Sequence, residues 1–267
     1  MIGVELVKLL RRPRTWVSVG LLVALPTIVA LFLAATEIGP RPGEGPALLS
    51  AVLSNGQLFP AAALAIVLPL FLPVAVAVVA GDSIAGEAGA GTLRYLLARP
   101  VGRTRLVMAK LVAVIAFILI AVVAVALSAY VVGTNLFGSE PLTSVSGRSV
   151  NTADATRRTI YAVLYIGWSM LGVAAVALFL STLTDSSLGA ALGALSVLVT
   201  SQVLVALDAA AAVRPYLPTR YWLAFVDFFR DPILWRDIER GIALQGVYVA
   251  VLLAMTWANF TTKDITS

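Results

Sequence analysis

The sequence predicts an all-α integral membrane protein with six membrane-spanning helices. Of its 267 residues, 60% are hydrophobic and 12% are charged, whereas a soluble domain averages about 45–50% apolar and about 25% charged residues. Six apolar runs are long enough to cross about 30 Å of hydrocarbon as helices. The chain has no cysteine and no histidine, which excludes disulfides and removes the usual ligands of zinc and haem sites.

The chain begins with a predicted basic amphipathic helix over residues 1–14. At helical spacing its apolar residues lie on one side and its charged residues on the other, namely Ile2, Leu6, Leu9 and Leu10 against Glu5, Lys8, Arg11 and Arg12. We expect this helix to lie in the membrane interface with its charges toward lipid headgroups. The alternative is a simple basic flank of the first span. The predicted membrane-interface residues are Lys8, Arg11, Arg12, Arg14 and, farther along, Lys110.

The six predicted spans are residues 16–35, 58–80, 111–133, 160–181, 188–207 and 242–260. The first is favoured over a cleaved signal peptide, whose apolar region would be only about 7–15 residues long. The second contains Pro60, Pro69 and Pro73, which predicts a kinked helix packed against other helices. The fifth is rich in small residues, which allow helices to approach closely.

Residues 208–240 differ from the spans because they combine prolines with many aromatic residues. Trp222, Phe225, Val226 and Phe229 would share one helical face. Aromatic side chains are favoured at the membrane interface. We therefore expect a re-entrant or interfacial segment on the extracytoplasmic side, before the last span.

The distribution of basic residues favours an N-terminus in the cytoplasm. With that orientation, the tally of Lys and Arg is 10 inside and 9 outside, which decides nothing alone. The first span usually dominates orientation, and four bases precede it directly, whereas Arg41 alone follows it closely. Six spans then place both termini in the cytoplasm.

Several kinds of chemistry have no residues to support them. The phosphate loop G-x-x-x-x-G-K-[ST] is absent, so we expect no ATP hydrolysis by this chain itself. Ser nucleophiles lack a histidine base, and no acidic cluster has metal-ligand spacing. The predicted span interiors lack the charged residues on which ion-coupled transporters depend. The net charge of +5 is better explained by lipid-facing Lys and Arg than by nucleic-acid binding.

Mild polar residues within the fifth span offer a candidate substrate path. They are Ser196, Thr200 and Gln202. Helix–helix packing is the alternative role for each of them.

Residues 81–110 form a polar segment between the second and third spans. Its charged residues are Asp82, Glu87, Arg94, Arg99, Arg103, Arg105 and Lys110. Leu93, Leu96 and Leu97 at positions i, i+3 and i+4 predict a short helix with an apolar face, which Pro100 ends. Such a helix suits docking in a cleft of another protein. An ordinary basic inner loop is the alternative, and it leaves the leucines without a burial partner.

This segment resembles the inner-loop motif of the ABC type-2 permeases, the membrane subunits of exporter-class ABC transporters. The residues that carry the resemblance, and to which it implies an ATPase-coupling role, are Asp82, Glu87, Gly91, Thr92, Leu93, Leu96, Leu97, Arg99, Pro100 and Arg103. Further similarities are the basic N-terminal helix, Leu180-Ser181-x-Leu183-x-Asp185-Ser186 and the tail Phe260-x-x-Lys263-Asp264-Ile265. The resemblance covers most of the chain as one transmembrane domain, residues 1–267.

The resemblance implies an N-terminal elbow helix, a cytoplasmic coupling helix within residues 81–110, and a multi-pass protein of the bacterial plasma membrane. It also implies a separate pair of ABC ATPase subunits that hold ATP and Mg²⁺, and a second permease, either a copy of this chain or a relative. The implied function is ATP-driven export of a hydrophobic or amphipathic compound such as a drug, peptide or lipid. The alternatives are a permease for metal-cofactor maturation and a non-transporting membrane scaffold; a membrane enzyme is less favoured.

Overall fold

The computed structural model describes residues 1–36, 56–91, 102–138, 142–143, 149–150 and 152–262. The α-helices in these ranges are α1 (Ile2–Arg11), α2 (Pro13–Thr36), α3 (Phe59–Val67), α4 (Phe71–Gly89), α5 (Arg103–Phe137), α6 (Thr152–Leu183), α7 (Ser187–Ala206) and α8 (Trp235–Thr262). Short 3-10 helices cover Gly56–Leu58, Asp208–Ala210, Arg214–Tyr216 and Trp222–Phe229. The two-residue strands β1 (Leu142–Thr143) and β2 (Ser149–Val150) pair antiparallel.

Six of the helices, α2 and α4 to α8, are long and apolar enough to cross a membrane. This confirms the predicted all-α membrane fold. The centre of the bundle is formed by α4 and α6, whose most apolar 18-residue stretches are 61% and 67% buried. In α2, α7 and α8 the corresponding fractions are 22%, 28% and 17%. These three helices therefore turn most of their apolar surface outward, toward lipid or another chain.

The structure corrects the predicted ends of the spans. The polar segment predicted over residues 81–110 is helical at both ends, because α4 continues to Gly89 and α5 begins at Arg103. The helices α6 and α8 likewise begin several residues before the predicted spans. Hydropathy marks only the stretch that fits hydrocarbon, whereas the backbone hydrogen bonds of a helix continue into its polar flanks.

The second predicted span is divided into α3 and α4 at residues 68–70. Pro73 has no N–H to donate to the carbonyl of Pro69, four residues earlier in the chain. Gln202 of α7 supplies the missing donor, because its Nε2 hydrogen-bonds to the Pro69 carbonyl. A side chain from a neighbouring helix thus satisfies the backbone at the break, as a membrane interior requires.

The aromatic segment before α8 folds as a 3-10 helix, Trp222–Phe229, which we call the aromatic cap. Its buried residues are Trp222, Phe225, Phe228 and Phe229. A 3-10 helix has three residues per turn, so Trp222 aligns with Phe225 and Phe228, whereas Val226 aligns with Phe229. The single predicted face is therefore two neighbouring rows, and Val226 is half-buried against the core. The cap packs against α6 and α8, and the ring of Phe228 contacts Tyr161, Tyr165 and Trp235.

Candidate functional site

One end of the bundle carries a cluster of charged side chains beneath α1, which we call the charged junction. It consists of Glu5, Lys8, Arg12, Arg14, Asp82, Glu87 and Lys110. The same end carries the C-terminus of α4, the N-terminus of α5, the α6–α7 turn and the C-terminus of α8. The junction therefore lies beside both helix ends that lead into residues 92–101, which are outside the described residues.

The centre of the junction is a buried ion pair between α4 and α5. The Nζ atom of Lys110 lies 2.8 Å from Oε2 of Glu87, and the two side chains are only 1% and 6% exposed. Lys8 of α1 pairs with Oε1 of the same carboxylate, and Glu5 Oε2 lies 3.7 Å from Lys110 Nζ. Three helices are therefore joined through one carboxylate, whose burial is tolerated because two ammonium groups face it.

Glu87 lies at the unfavourable end of its helix, two residues before Gly89, the last residue of α4, where the helix dipole repels an anion. The resemblance implied instead an ATPase-coupling role for Glu87. Lys8 and Lys110 compensate the repulsion at the observed position. Because Glu87 is buried, it faces the interior of this chain and not a partner's surface.

A second carboxylate joins α4 to the beginning of α2. Asp82 Oδ2 lies 2.8 Å from Arg12 Nη1 and 2.8 Å from Arg14 Nη2. The Asp82 side chain is 12% exposed, whereas those of the two arginines are 33% and 53% exposed. The helix pair α1–α2 is thus held against α4 at two points along the chain, one through Lys8 and one through the arginines.

The contacts of α1 correct the predicted orientation of this helix. Lys8, Arg12 and Arg14 pair with acidic groups of the protein instead of pointing toward lipid headgroups, and Lys110 is buried. Arg11 remains exposed. The outward stripe of α1 is apolar, with Val4, Val7 and Leu10 exposed by 69%, 48% and 44%. The acidic partners on α4 determine which side of α1 faces the bundle. The amphipathic pattern of α1 could not predict this, because it contains no information about residues distant in the chain.

The end of α6 is hydrogen-bonded directly to the backbone of α4. The Ser181 hydroxyl donates to the Gly81 carbonyl at 2.7 Å and accepts from the Ala85 amide at 2.8 Å. The side chain is 1% exposed. Ser181 belongs to the stretch Leu180–Ser186, one of the further similarities to the ABC type-2 permeases. Its hydrogen bonds bring this stretch against α4 in the region of Asp82 and Glu87.

The α6–α7 turn also touches the last residue of α4. A methyl group added to Gly89 would lie 2.5 Å from the backbone oxygen of Asp185. Only glycine allows this approach without a shift of one backbone relative to the other. Two residues later, Gly91 has a φ of 66°, a conformation that commonly ends a helix and is easiest for glycine.

The last helix is attached to the same end of the bundle. Arg103 at the start of α5 donates from Nη1 to the carbonyls of Thr261 at 2.8 Å and Phe260 at 3.3 Å. These carbonyls belong to the final turn of α8, where a cation is favoured. Asn259 donates to the Thr182 hydroxyl at 2.8 Å. The α1 end is therefore one connected unit in which α2, α4, α5, α6 and α8 each have a contact.

The structure places the remaining predicted site residues as follows. Thr92, Leu93, Leu96, Leu97, Arg99 and Pro100 lie outside the described residues. Ser196 and Thr200 are exposed on the outer face of α7, and the Ser196 hydroxyl bonds back to the Leu192 carbonyl at 2.8 Å. Gln202 is half-buried near the far end of the bundle, at the break between α3 and α4.

A family model described as ABC-2 family transporter protein matches residues 1–202. The match covers more than half of the chain, so the chain belongs to this family of ABC transporter permeases. It is a multi-pass membrane protein, and its family implies an ABC ATPase subunit as a partner. No curated protein matches the chain.

Proposed function

We propose that this chain is the membrane subunit of an ATP-driven exporter whose ATPase is a separate polypeptide. The charged junction is the observation that carries the proposal. It joins α4 to α5 through the buried Glu87–Lys110 pair and α1 to both through Lys8, at the two helix ends that flank residues 92–101. A force applied to that segment by an ATPase would reach three helices at once.

The coupling proposal assigns the leucine face of residues 92–100 to a groove of the ATPase. ATP binding would bring two ATPases together and shift the population of the permease between inward-open and outward-open states. The ion pairs of the junction resist separation of α4 from α5 and α1, so these helices would move together. The substrate would be hydrophobic or amphipathic, because the predicted spans offer no charge in their middle sections to select an ion.

A second permease copy would cover the exposed faces of α2 and α7. Leu21, Ile28 and Phe32 of α2 are exposed by 67%, 62% and 61%. Leu188 and Leu192 of α7 are exposed by 67% and 54%. In this proposal the two permeases meet through the first, second and fifth spans, in the bacterial plasma membrane.

The substitution Leu96→Asp tests the docking of the coupling segment. We expect the membrane bundle to remain folded while ATPase association weakens about tenfold or more, because an unpaired charge would be buried in the groove. Pull-down of the ATPase with the full chain in mild detergent measures the effect. Arg11→Gln is the control, since Arg11 is exposed on α1. Undiminished association of the Leu96 variant would refute this placement of the docking face.

The orientation is tested by a reporter fused at residue 144, between the third and fourth spans. We expect a periplasmic signal there and a cytoplasmic signal from a fusion at the N-terminus, because the basic residues before the first span should remain inside. Alkaline phosphatase and a fluorescent protein, which are active on opposite sides of the membrane, give the two readouts. A cytoplasmic signal at residue 144 would invert the whole topology.

The two alternative functions, a non-transporting scaffold and a permease for metal-cofactor maturation, predict different results in transport experiments. A non-transporting scaffold would associate with an ATPase without moving any compound in response to ATP. A permease for metal-cofactor maturation would keep the ATPase and the coupling but require a different cargo. The genes beside this one would separate these functions, because a neighbouring ATPase or cofactor-assembly gene would indicate the complex to which the chain belongs.

A further inference from the structure

A pocket of about 270 Å³ lies at the far end of the bundle from the charged junction. It is lined by the break between α3 and α4, the C-terminal part of α7 and the first turn of the aromatic cap. The residues that matter for its chemistry are Pro69, Gln202, Thr219, Arg220, Trp222 and Leu223. Its size is near the lower limit of small-molecule sites, which usually begin at about 300 Å³.

Trp222, which lines the pocket, carries a buried hydrogen-bond donor without an acceptor in the described part of the chain. Trp222 is 3% exposed, and its indole Nε1–H has no hydrogen-bond partner among the described residues. Buried indole N–H groups usually find an acceptor, because leaving them unpaired in a low dielectric is costly. Because Trp222 lines the pocket, a molecule bound there is the natural source of that acceptor.

The polar wall beside Trp222 is fixed in place before any ligand arrives. The hydroxyl oxygens of Thr219 and Ser201 are 2.7 Å apart, and the Thr219 amide donates to the same Ser201 oxygen at 3.3 Å. Gln202 is held by its bond to the Pro69 carbonyl. Side chains that are already ordered lose little entropy when a ligand binds, which favours a real site over a chance cavity.

The guanidinium group of Arg220 belongs to the lining of the same pocket. Arg220 is exposed, and its guanidinium carbon lies 5.7 Å from the centre of the Tyr221 ring. Arg220 takes part in none of the ion pairs found in the described part of the chain. Leu68, Val205 and Leu223 supply apolar surface on the other walls. The pocket therefore joins one positive charge and one unpaired donor to apolar surface.

We propose that this pocket binds the head of an anionic amphipathic molecule. A phosphate or carboxylate oxygen accepts a hydrogen bond from Trp222 Nε1 and pairs with Arg220, while the first carbons of the apolar part contact Leu223. The volume accommodates a head and a few carbons but not a whole lipid. The head could belong to a bilayer lipid or to a free amphiphile, because both present the same oxygens. The inference deepens the proposed transport function by naming a ligand class, yet the binding itself requires no ATPase.

The test uses the full chain in a maltoside detergent with dodecyl phosphate as the probe and dodecanol as its uncharged counterpart. Tryptophan labelled with ¹⁵N in the indole ring gives five signals, one per tryptophan of the chain. The Trp222 signal is assigned by its loss in Trp222→Phe, which keeps an aromatic ring and removes the donor. We expect dodecyl phosphate, but not dodecanol, to shift this signal strongly.

Affinities of the variants complete the test. We expect Trp222→Phe and Arg220→Gln each to bind dodecyl phosphate about tenfold more weakly, the effect of losing one hydrogen bond to a charged acceptor. Arg157→Gln is the matched control, since Arg157 is an exposed arginine that pairs with Asp154. Equal binding by Trp222→Phe and the unaltered chain, or equal binding of dodecanol, would overturn the proposal. A Trp222 signal shifted in phosphatidylglycerol nanodiscs relative to phosphatidylcholine nanodiscs would identify the bilayer as the source of the head.

The outcome is separable from that of the proposed function. Trp222→Phe leaves the α1 end of the bundle unchanged, so it should still associate with the ATPase. Loss of amphiphile binding with retained ATPase association supports the site. Failure of ATPase association in the unaltered chain would refute the exporter proposal and leave the binding result standing.

Discussion

Replacement of Lys110 by methionine is expected to destabilise the protein by about 3 kcal/mol, because it leaves the Glu87 carboxylate buried with half of its charge compensation removed. The Lys110 side chain is 1% exposed, so water does not readily take its place. Lys8 still pairs with Glu87, but Lys8 is 37% exposed and lies on the outer helix α1. We therefore expect a loss of stability at the lower end of the range of about 3–5 kcal/mol that is typical when one partner of a buried ion pair is removed. The midpoint of thermal unfolding in detergent measures the loss.

Two further variants show whether the effect arises from the ion pair. The double variant Glu87→Gln, Lys110→Met removes both buried charges and should recover most of the lost stability, because the charges left at the junction beside them, Glu5 and Lys8, are opposite in sign. Arg157→Met breaks an exposed pair with Asp154, whose side chains are 60% and 46% exposed, and should change stability by about 1 kcal/mol or less. A Lys110→Met protein as stable as the unaltered chain would contradict the buried ion pair.

Replacement of Gly89 by alanine is expected to destabilise the protein by about 1–3 kcal/mol, the usual cost of inserting atoms into a filled space. The new methyl group would lie 2.5 Å from the Asp185 backbone oxygen. A backbone atom cannot rotate away as a side chain can, so the α6–α7 turn must shift relative to α4. We also expect the transported compound to stimulate ATP hydrolysis by the partner ATPase less strongly, because the shift of the turn occurs beside the proposed coupling segment.

The sign of the Gly89 effect is informative, because helix propensity acts in the opposite direction. Alanine is favoured over glycine inside a helix by about 1 kcal/mol, so without the contact Gly89→Ala would be neutral or stabilising. Gly20→Ala is the matched control, since Gly20 lies inside α2 and a methyl group there would have no atom of the described residues within 4 Å. Unfolding midpoints of the two variants give the comparison. A Gly89 variant at least as stable as the Gly20 variant would contradict the close approach of the turn.

The six spans and the class of protein could be predicted from the sequence, because both are properties of contiguous residues. Apolar runs define the spans, and the residues around Asp82 and Glu87 carried the resemblance to ABC type-2 permeases. The burial of Lys110 could not be predicted in this way. Lys110 follows Glu87 by 23 residues and Lys8 precedes it by 79, and only the packing of three helices brings these residues together.

The hydrogen bonds of Ser181 and Gln202 were missed for a related reason. A serine or glutamine in an apolar helix serves equally well in packing or in a substrate path. The role of each side chain is determined by the backbone carbonyl to which it donates, that of Gly81 for Ser181 and that of Pro69 for Gln202. For Gln202 a signal was present in the sequence, because Pro73 removes the donor that the Pro69 carbonyl would otherwise use. That Gln202 supplies the replacement donor could be seen only from the fold, which brings α7 against the break between α3 and α4.

The central claim is that this permease moves an amphipathic compound when a separate ATPase hydrolyses ATP. The most direct test is reconstitution of the chain with the ABC ATPase that co-purifies with it, in sealed proteoliposomes, with a fluorescent amphiphile added outside. We expect lumenal accumulation from complexes whose ATPase faces outward, and only with ATP and Mg²⁺. Accumulation should fall sharply with Lys110→Met and recover in part with the double variant at positions 87 and 110. A complex that hydrolyses ATP with no ATP-dependent movement of any amphiphile tested would contradict the claim and support a scaffold.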